Sequence, residues 1–316
     1  MARKLVIIGN GMAPGRLLEA VLEQDREAFT ITVFNAEPRV NYDRIQLSPV
    51  LAGDKCFDDI VIHDDAWYAA HGITLHKGLP VTAIDRAARE VIAADGGRTA
   101  YDELVIATGS RPLVPPLPGR ELAGVVTFRD LDDVDAMLAA AARGGRAVVI
   151  GGGLLGLEAA AGLAARGMQV TVLHLAASLM ERQLDAAAGY LLAEALRGRG
   201  IDVVTEAETR ALLGEGQVSG VELRDGRRYA ADLVVVAIGI RPNVELADAA
   251  GLAVARGILV DDGLATSDPA IHALGECVEH RGQCYGLVAP LYEMARVLAA
   301  RLLGGTASYA GSTLST

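Results

Sequence analysis

The sequence predicts an α/β fold: two interleaved, doubly wound Rossmann-like nucleotide-binding domains, each with a small β-meander. Three features of the chain lead there. An apolar strand runs into glycines twice, as LVIIGNG at 5–11 and as AVVIGGG at 147–153. Each is answered downstream by an apolar strand of shared form, DELVIATGSRP at 102–112 and DLVVVAIGIRP at 232–242. The separations are alike, 100 residues from Gly9 to Gly109 and 88 from Gly151 to Gly239, so one strand–helix–strand plan is written into the chain two times.

Within each copy the elements follow in the same order. Leu17, Leu18, Val21 and Leu22 recur at helical spacing after the first glycines, and Leu155, Leu157, Ala160 and Leu163 after the second. A second strand comes next, FTITVF at 29–34 and QVTVL at 169–173. Short strands with turn signals form the meanders: ITLHKG, PVTAID and REVIAA in the first copy, then IDVVT, VSGVELRDG and RRYAADLVVV in the second. The first copy is longer by 12 residues, and the surplus is NYDRIQLSPVLAGDK at 41–55. This loop is expected beside the first nucleotide crevice, where it would make room for a bulkier ligand. After Pro242, GILVDD, TSDPAIHALGECVEH and the helical CYGLVAPLYEMARVLAARLL are too short for a third unit. They are expected to return and complete the first domain. The expected domains are therefore 1–112 with 243–316, and an insertion at 113–242.

Composition bounds the function. At 316 residues, 51% apolar and 22% charged, the chain has room for two soluble domains. A net charge of −11 argues against binding nucleic acid, which needs a basic face. The longest apolar run, AVVIGGGLLGLEAAAGLAA, carries Glu158 and five glycines, so it reads as strand, turn and helix; no membrane association is expected. The short LVII run near the N-terminus lacks a small-residue cleavage site. The three cysteines, Cys56, Cys277 and Cys284, form no C-x-x-C. A reduced, cytoplasmic location is expected.

The second finger, Gly151-Gly152-Gly153-Leu154-Leu155-Gly156, follows a strand and opens a helix. Gly151 permits the tight turn, Gly153 lets the backbone approach a pyrophosphate, and Gly156 packs helix on strand. The helix start offers free N–H groups to the phosphates. Glu158 reads equally as a helix-start carboxylate or as a cofactor contact. His174 stands where an acid would hold the ribose 2′-hydroxyl of NAD, with Arg182 close in sequence, so the choice between NADH and NADPH stays open. The first finger, Gly9-Asn10-Gly11-Met12-Ala13-Pro14-Gly15, has proline in place of its third glycine. In the first helical turn the missing N–H leaves no intrahelical bond unmade. The ring removes a close helix–strand approach that Gly15 is expected to restore in part. Glu37 or Asn35 is the candidate for a ribose.

These residues resemble the FAD- and NAD(P)-dependent pyridine nucleotide reductases over nearly the whole chain. Within that class GNGMA, NYDRIQLSPVLAG, GGGLLGLEAA, MERQLD and ECVEHRGQCYGLVAPLYE are similar to the N-terminal part of the large subunit of assimilatory NAD(P)H-dependent nitrite reductases. The resemblance implies that Gly9, Gly11, Met12 and Ala13 hold the FAD pyrophosphate and Glu37 its adenosine ribose. Arg44 and Ser48 would reach the pyrophosphate and flavin side, a guanidinium suiting paired phosphate oxygens. Val81 would present its backbone to the adenine. Ala107, Thr108 and Gly109 would close over the cofactor, Gly275 and Glu276 would grip the ribityl chain, and Leu287 would begin the helix near the flavin pyrimidine. Gly151, Gly153, Leu155, Gly156, Glu158, His174, Ile238 and Gly239 form the NAD(P)H set.

The implied chemistry is hydride transfer from nicotinamide C4 to flavin N5 across the two domains. Electrons then pass to a downstream iron–sulfur and siroheme region or to a small electron-transfer protein. No acid–base residue is needed, and no catalytic side chain or metal ligand is assigned. Cys277 reads as a small buried residue, Tyr285 and Tyr292 as core or interface aromatics, and His63, His71 and His76 as surface residues. The chain stops at YAGSTLST, where the resembling family continues, so it is expected to be the electron-input part of a larger enzyme or a truncated form; alone it is not expected to reduce nitrite, because nothing in it can ligate siroheme. A ferredoxin or rubredoxin reductase uses the same residues. A non-enzymatic dinucleotide sensor is the remaining alternative.

Overall fold

Each of the two glycine-ended strands lies at the centre of its own five-stranded parallel sheet. The structure, a computed structural model, describes residues 2–312. The chain divides into two units, one running to Asp43 and including Val61–Arg111 and the chain from Arg241 on, the other Arg44–Ile60 with Pro112–Ile240. Residue 1 and residues 313–316, which the expected first domain includes, lie outside the described residues.

In the first unit the strand order is Ile271–Ala273, Glu103–Ile106, Arg3–Ile8, Phe29–Asn35, Thr74–Lys77. Every neighbouring pair is parallel, with Leu5 opposite both Ile31 and Glu103. Leu5 to Ile8 are all buried, as strands of a parallel sheet covered on both faces must be. Helix Met12–Gln24 lays Leu17, Leu18, Val21 and Leu22 into this core and packs against helix Val288–Leu302. The second unit repeats the plan with Val125–Val126, Leu233–Val236, Arg146–Ile150, Gln169–Leu173 and Ile201–Val204, again parallel throughout.

The structure departs from the sequence reading at three places. ITLHKG and IDVVT are not meander strands; Thr74–Lys77 and Ile201–Val204 extend the parallel sheets. Each follows a helix, Asp65–Ala70 or Ala186–Arg197, and a helical crossover returns the chain parallel. The second meander takes its first strand instead from Thr209–Glu215. That strand alternates weakly and buries only Leu212, and it gains its order from pairing with Gln217–Leu223. Finally, the surplus loop groups with the second unit over residues 44–55. Its short helix Leu47–Ala52 buries Leu47, Val50 and Leu51. An apolar face needs an apolar surface, and the small-residue helix Leu154–Ala165 supplies one. A Cβ built on Gly162 would stand 2.8 Å from Leu51, and Arg166 Nε donates to the Leu51 carbonyl at 2.7 Å.

Among the described residues no helix is long and apolar enough to cross a membrane, and no group of three or more His, Cys, Asp or Glu side chains could hold a metal ion.

Candidate functional site

The two fingers have nearly the same backbone. Gly9 has φ +114° and Gly151 φ +122°, conformations that favour glycine. A Cβ on either would meet a carbonyl oxygen at 2.2 Å, that of Ala107 for Gly9 and of Ala237 for Gly151. Each first glycine donates its N–H to the end of the second strand, Gly9 to Phe34 at 2.8 Å and Gly151 to Leu173 at 2.9 Å. Gly11 and Gly153 are the N-caps of their helices, both extended and without a capping side chain. A Cβ on either would meet nothing within 4 Å. Open space therefore faces the helix N-terminus at both fingers, where the first N–H groups have no intrahelical partner.

The third position separates them. A Cβ on Gly156 would lie 2.0 Å from the Gly151 carbonyl oxygen. Pro14 carries such a Cβ, so the first helix cannot approach its finger that closely. The first intrahelical bond runs from Gly15 N–H to Gly11 O at 3.1 Å, one residue past the proline. The carbonyl that a residue-14 N–H would have reached, that of Asn10, instead accepts from Asn41 Nδ2 at 2.8 Å. The same nitrogen donates to Gly11 O at 2.7 Å. Gly15 makes room for this amide, since a Cβ there would stand 3.0 Å from Asn41 Oδ1. Tyr68 adds a third support, donating its hydroxyl to Asn10 Oδ1 at 2.7 Å. Burial raises the pKa of this phenol, which keeps it a donor.

His63 is not a surface residue as read from sequence. It is 4% exposed, stacks on Trp67 at 3.8 Å between centroids, and shares a 2.9 Å hydrogen bond with Glu19. Burial lowers its pKa despite the carboxylate. No local pattern signals this, because Glu19 and His63 lie 44 residues apart.

Apart from Arg44 and Ser48, the remaining residues expected around FAD lie in the first unit. Gly275, at φ +91°, lies against Ala13, its Cβ position 3.4 Å from the alanine methyl. Glu276 accepts from Ser110 Oγ at 2.8 Å. Asn243 clasps Thr108 and Gly109: its Nδ2 donates to Thr108 O at 2.8 Å, its N–H to Gly109 O at 3.0 Å, and its own carbonyl accepts from Thr108 Oγ1 at 3.0 Å. Asn35 uses its amide within the turn, donating to Arg39 O and accepting from Glu37 N–H, whereas Glu37 stays half-buried and accepts from Tyr42. The N–H groups of Gly78 and Leu79 bond to Glu37 O and Asn35 O, which brings the strand starting at Val81 beside that turn. Leu287 is the N-cap of helix Val288–Leu302. Cys277 is fully buried, its thiol pushed up to about 11 by that burial.

In the second unit Ser48 Oγ donates to Glu158 Oε2 at 2.7 Å, and Arg44 donates to the Arg129 carbonyl at 3.0 Å. Both belong to the segment that packs with this unit. Gly239 has φ +123°, and its carbonyl accepts from Leu113 N–H. Leu154, Leu155, Leu175 and Ile238 are exposed large apolar side chains at the finger and the strand ends. His174 is buried and bonded on both ring nitrogens: Gly152 N–H donates to Nδ1 at 3.0 Å, and Nε2 meets Glu181 at 3.0 Å. Asn41, Tyr68, Ser110, Asn243 and Glu181 are the residues that sequence reasoning missed. Asn243 was the most accessible of them, since it directly follows the repeated Arg-Pro.

The chain matches the family described as pyridine nucleotide-disulphide oxidoreductase over residues 3–296. It is 49% identical over 315 residues to nitrite reductase [NAD(P)H] of Bacillus subtilis, covering 99% of this chain and 39% of that protein. It is 45% identical over 302 residues to the assimilatory nitrate reductase electron transfer subunit of the same organism, covering 96% of this chain and again 39% of that one. The chain thus spans about two fifths of the length of these relatives. Among solved structures it is similar to a covalent putidaredoxin reductase–putidaredoxin complex, with a TM-score of 0.90, 32% identity, and coverage of 97% of this chain and 76% of that one. Matching sequence, paired parallel sheets and twin fingers agree: the chain belongs to the pyridine nucleotide-disulphide oxidoreductase family.

Proposed function

We propose that the chain is the electron-input module of an assimilatory nitrite reductase, binding FAD at the first finger and NAD(P)H at the second. The duplicated finger geometry is the observation that supports this most. Two helix N-termini each face space that a single added methyl would enter, and both are free of any capping side chain. That is the form of a pyrophosphate cradle. When bound, FAD supplies the hydride-accepting flavin, and the nucleotide supplies the hydride.

The chain's own residues bind and orient. Gly9, Gly11, Met12 and Ala13 would cradle the FAD pyrophosphate, with Arg44 and Ser48 toward the pyrophosphate and flavin side. Glu37 would accept from the adenosine ribose, its neighbour Asn35 being committed to the turn, and Val81 would offer its backbone to the adenine. Ala107, Thr108, Gly109, Gly275 and Glu276 would close along the ribityl chain, and Leu287 would start the helix toward the pyrimidine. Gly151, Gly153, Leu155 and Gly156 would hold the nicotinamide nucleotide, covering the exposed apolar side chains Leu154, Leu155, Leu175 and Ile238. Glu158, His174, Ile238 and Gly239 would line that site. The domains would then be 1–112 with 243–316 for FAD and 113–242 for the nucleotide.

Electrons would leave for an iron–sulfur and siroheme region or a small electron-transfer protein. The complexed putidaredoxin reductase among the similar structures favours a separate small protein acceptor as the second reading. The test is a visible spectrum of the purified protein followed by anaerobic NADH or NADPH. A yellow protein bleached by either nucleotide supports the module. A colourless one that takes up no FAD on reconstitution refutes it.

A further inference from the structure

We infer that Glu181, positioned by His174, makes the second finger select NADH over NADPH. The inference rests on reading that finger as the nicotinamide nucleotide site, and it settles which nucleotide the site takes.

In a doubly wound domain, an acid near the end of the second strand accepts from the ribose 2′-hydroxyl of NADH, whereas an arginine there accommodates the 2′-phosphate of NADPH. His174 occupies the strand end and can do neither. The residue is 7% exposed and both ring nitrogens are engaged. A backbone N–H can only donate, so the Gly152 contact requires an unprotonated Nδ1. The ring proton therefore sits on Nε2, where Glu181 Oε2 accepts it at 3.0 Å. Glu181 is thus the acceptor of that bond. The other oxygen of Glu181, on a side chain 45% exposed, is left to accept from a ligand.

The finger holds this carboxylate in place through one residue. Besides donating to His174, Gly152 accepts from Met180 N–H at 3.1 Å. Met180, directly before Glu181, adopts φ +54° to make that bond, an unusual conformation for a side-chain-bearing residue. Leu179 is fully buried against the same glycine. A Cβ on Gly152 would stand 2.4 Å from Leu179 Cδ2 and 2.8 Å from His174 Cγ, so the middle residue of the finger must be glycine for this arrangement to form. Glycine finger, histidine and glutamate are thus one connected unit. A ribose hydroxyl would complete the carboxylate, while a 2′-phosphate of charge about −1.5 to −2 would be repelled by it. Arg182 is the competing determinant and would bias the site the other way.

The test is calorimetric binding of NAD⁺ and NADP⁺ to the flavin-loaded chain, which needs no turnover. Wild type should bind NAD⁺ more tightly by about tenfold or more, the size expected for one hydrogen bond to a charged acceptor. Glu181→Gln should bring the two affinities to within about threefold, and Glu181→Asp should keep part of the preference. His174→Gln should shift the ratio in the same direction but less, with the Nε2–H tautomer visible by ¹⁵N NMR in wild type. Should neither nucleotide bind, the reading of the finger as a nicotinamide site fails. Should both bind with NADP⁺ preferred, or with a ratio that Glu181→Gln leaves unchanged or that only Arg182→Gln moves, the inference about Glu181 is overturned while the site itself stands.

Discussion

Replacing Asn41 by alanine tests how the first finger tolerates its proline. Asn41 is fully buried, and its Nδ2 is the donor to both Asn10 O and Gly11 O. Without it, Gly11 O still accepts from Gly15 N–H, but Asn10 O has no donor, because residue 14 has no N–H. An orphaned buried carbonyl costs about 1–3 kcal/mol, and the vacated side chain adds a small void, so Asn41→Ala should destabilise by about 2–4 kcal/mol. Pro14→Ala alone should also destabilise, by about 0.4–1 kcal/mol, since proline restricts the unfolded chain. In the Asn41→Ala background its sign should invert. The new N–H lies four residues after Asn10 and can take the vacant carbonyl, returning about 1 kcal/mol. Urea unfolding of flavin-free protein across the four variants measures the coupling. Additive effects, with Pro14→Ala destabilising in both backgrounds, would refute the idea that Asn41 substitutes for the missing helical donor.

Three further outcomes are expected. Gly11→Ala, at an ordinary φ of −81° with nothing within 4 Å of its new methyl, should fold with stability unchanged to within about 1 kcal/mol yet lose FAD retention by about tenfold or more; normal flavin content after purification would sink the cradle assignment. Of the three cysteines, exposed Cys56 and Cys284 should react with Ellman's reagent in the native protein, while Cys277, buried with its thiol near 11, should react only after unfolding. Because burial holds the His63 pKa below its ordinary 6.5, the unfolded state takes up the proton first. Stability should therefore fall as pH drops below about 6.5, with a slope from this residue of at most about 1.4 kcal/mol per pH unit. His63→Gln should flatten that dependence, and parallel urea-midpoint curves for the two proteins would count against it.

Much of this architecture was legible because it depends on patterns that one strand or one helix carries by itself. The run LVII is apolar on both faces, so it had to be a covered central strand, and Gly9 and Gly151 end their strands at turns that no side chain fits. The duplication made the plan doubly readable, since each copy checked the other. Reading failed where order comes from pairing. Thr209–Glu215 is weakly patterned, and pairing with Gln217–Leu223 makes it a strand. Leu47–Ala52 showed an apolar face but could not say which surface would take it. His63 looked like a loop histidine until Glu19 and Trp67 were placed around it.

The candidate site divides in the same way. The sequence by itself determined the two strand–glycine–helix fingers, the strands that answer them, and the family to which they belong, because those features reside in contiguous residues with fixed spacing. Only the tertiary structure decided what holds the fingers in shape. Asn41 reaches Asn10 across 31 residues, Tyr68 reaches it across 58, Asn243 clasps Thr108 across 135, and His174 turns back 22 residues to Gly152. A hydrogen bond is directional and spans only about 3 Å. Which distant polar groups meet is fixed by the packed position of whole strands and helices, and no local pattern of residues encodes it.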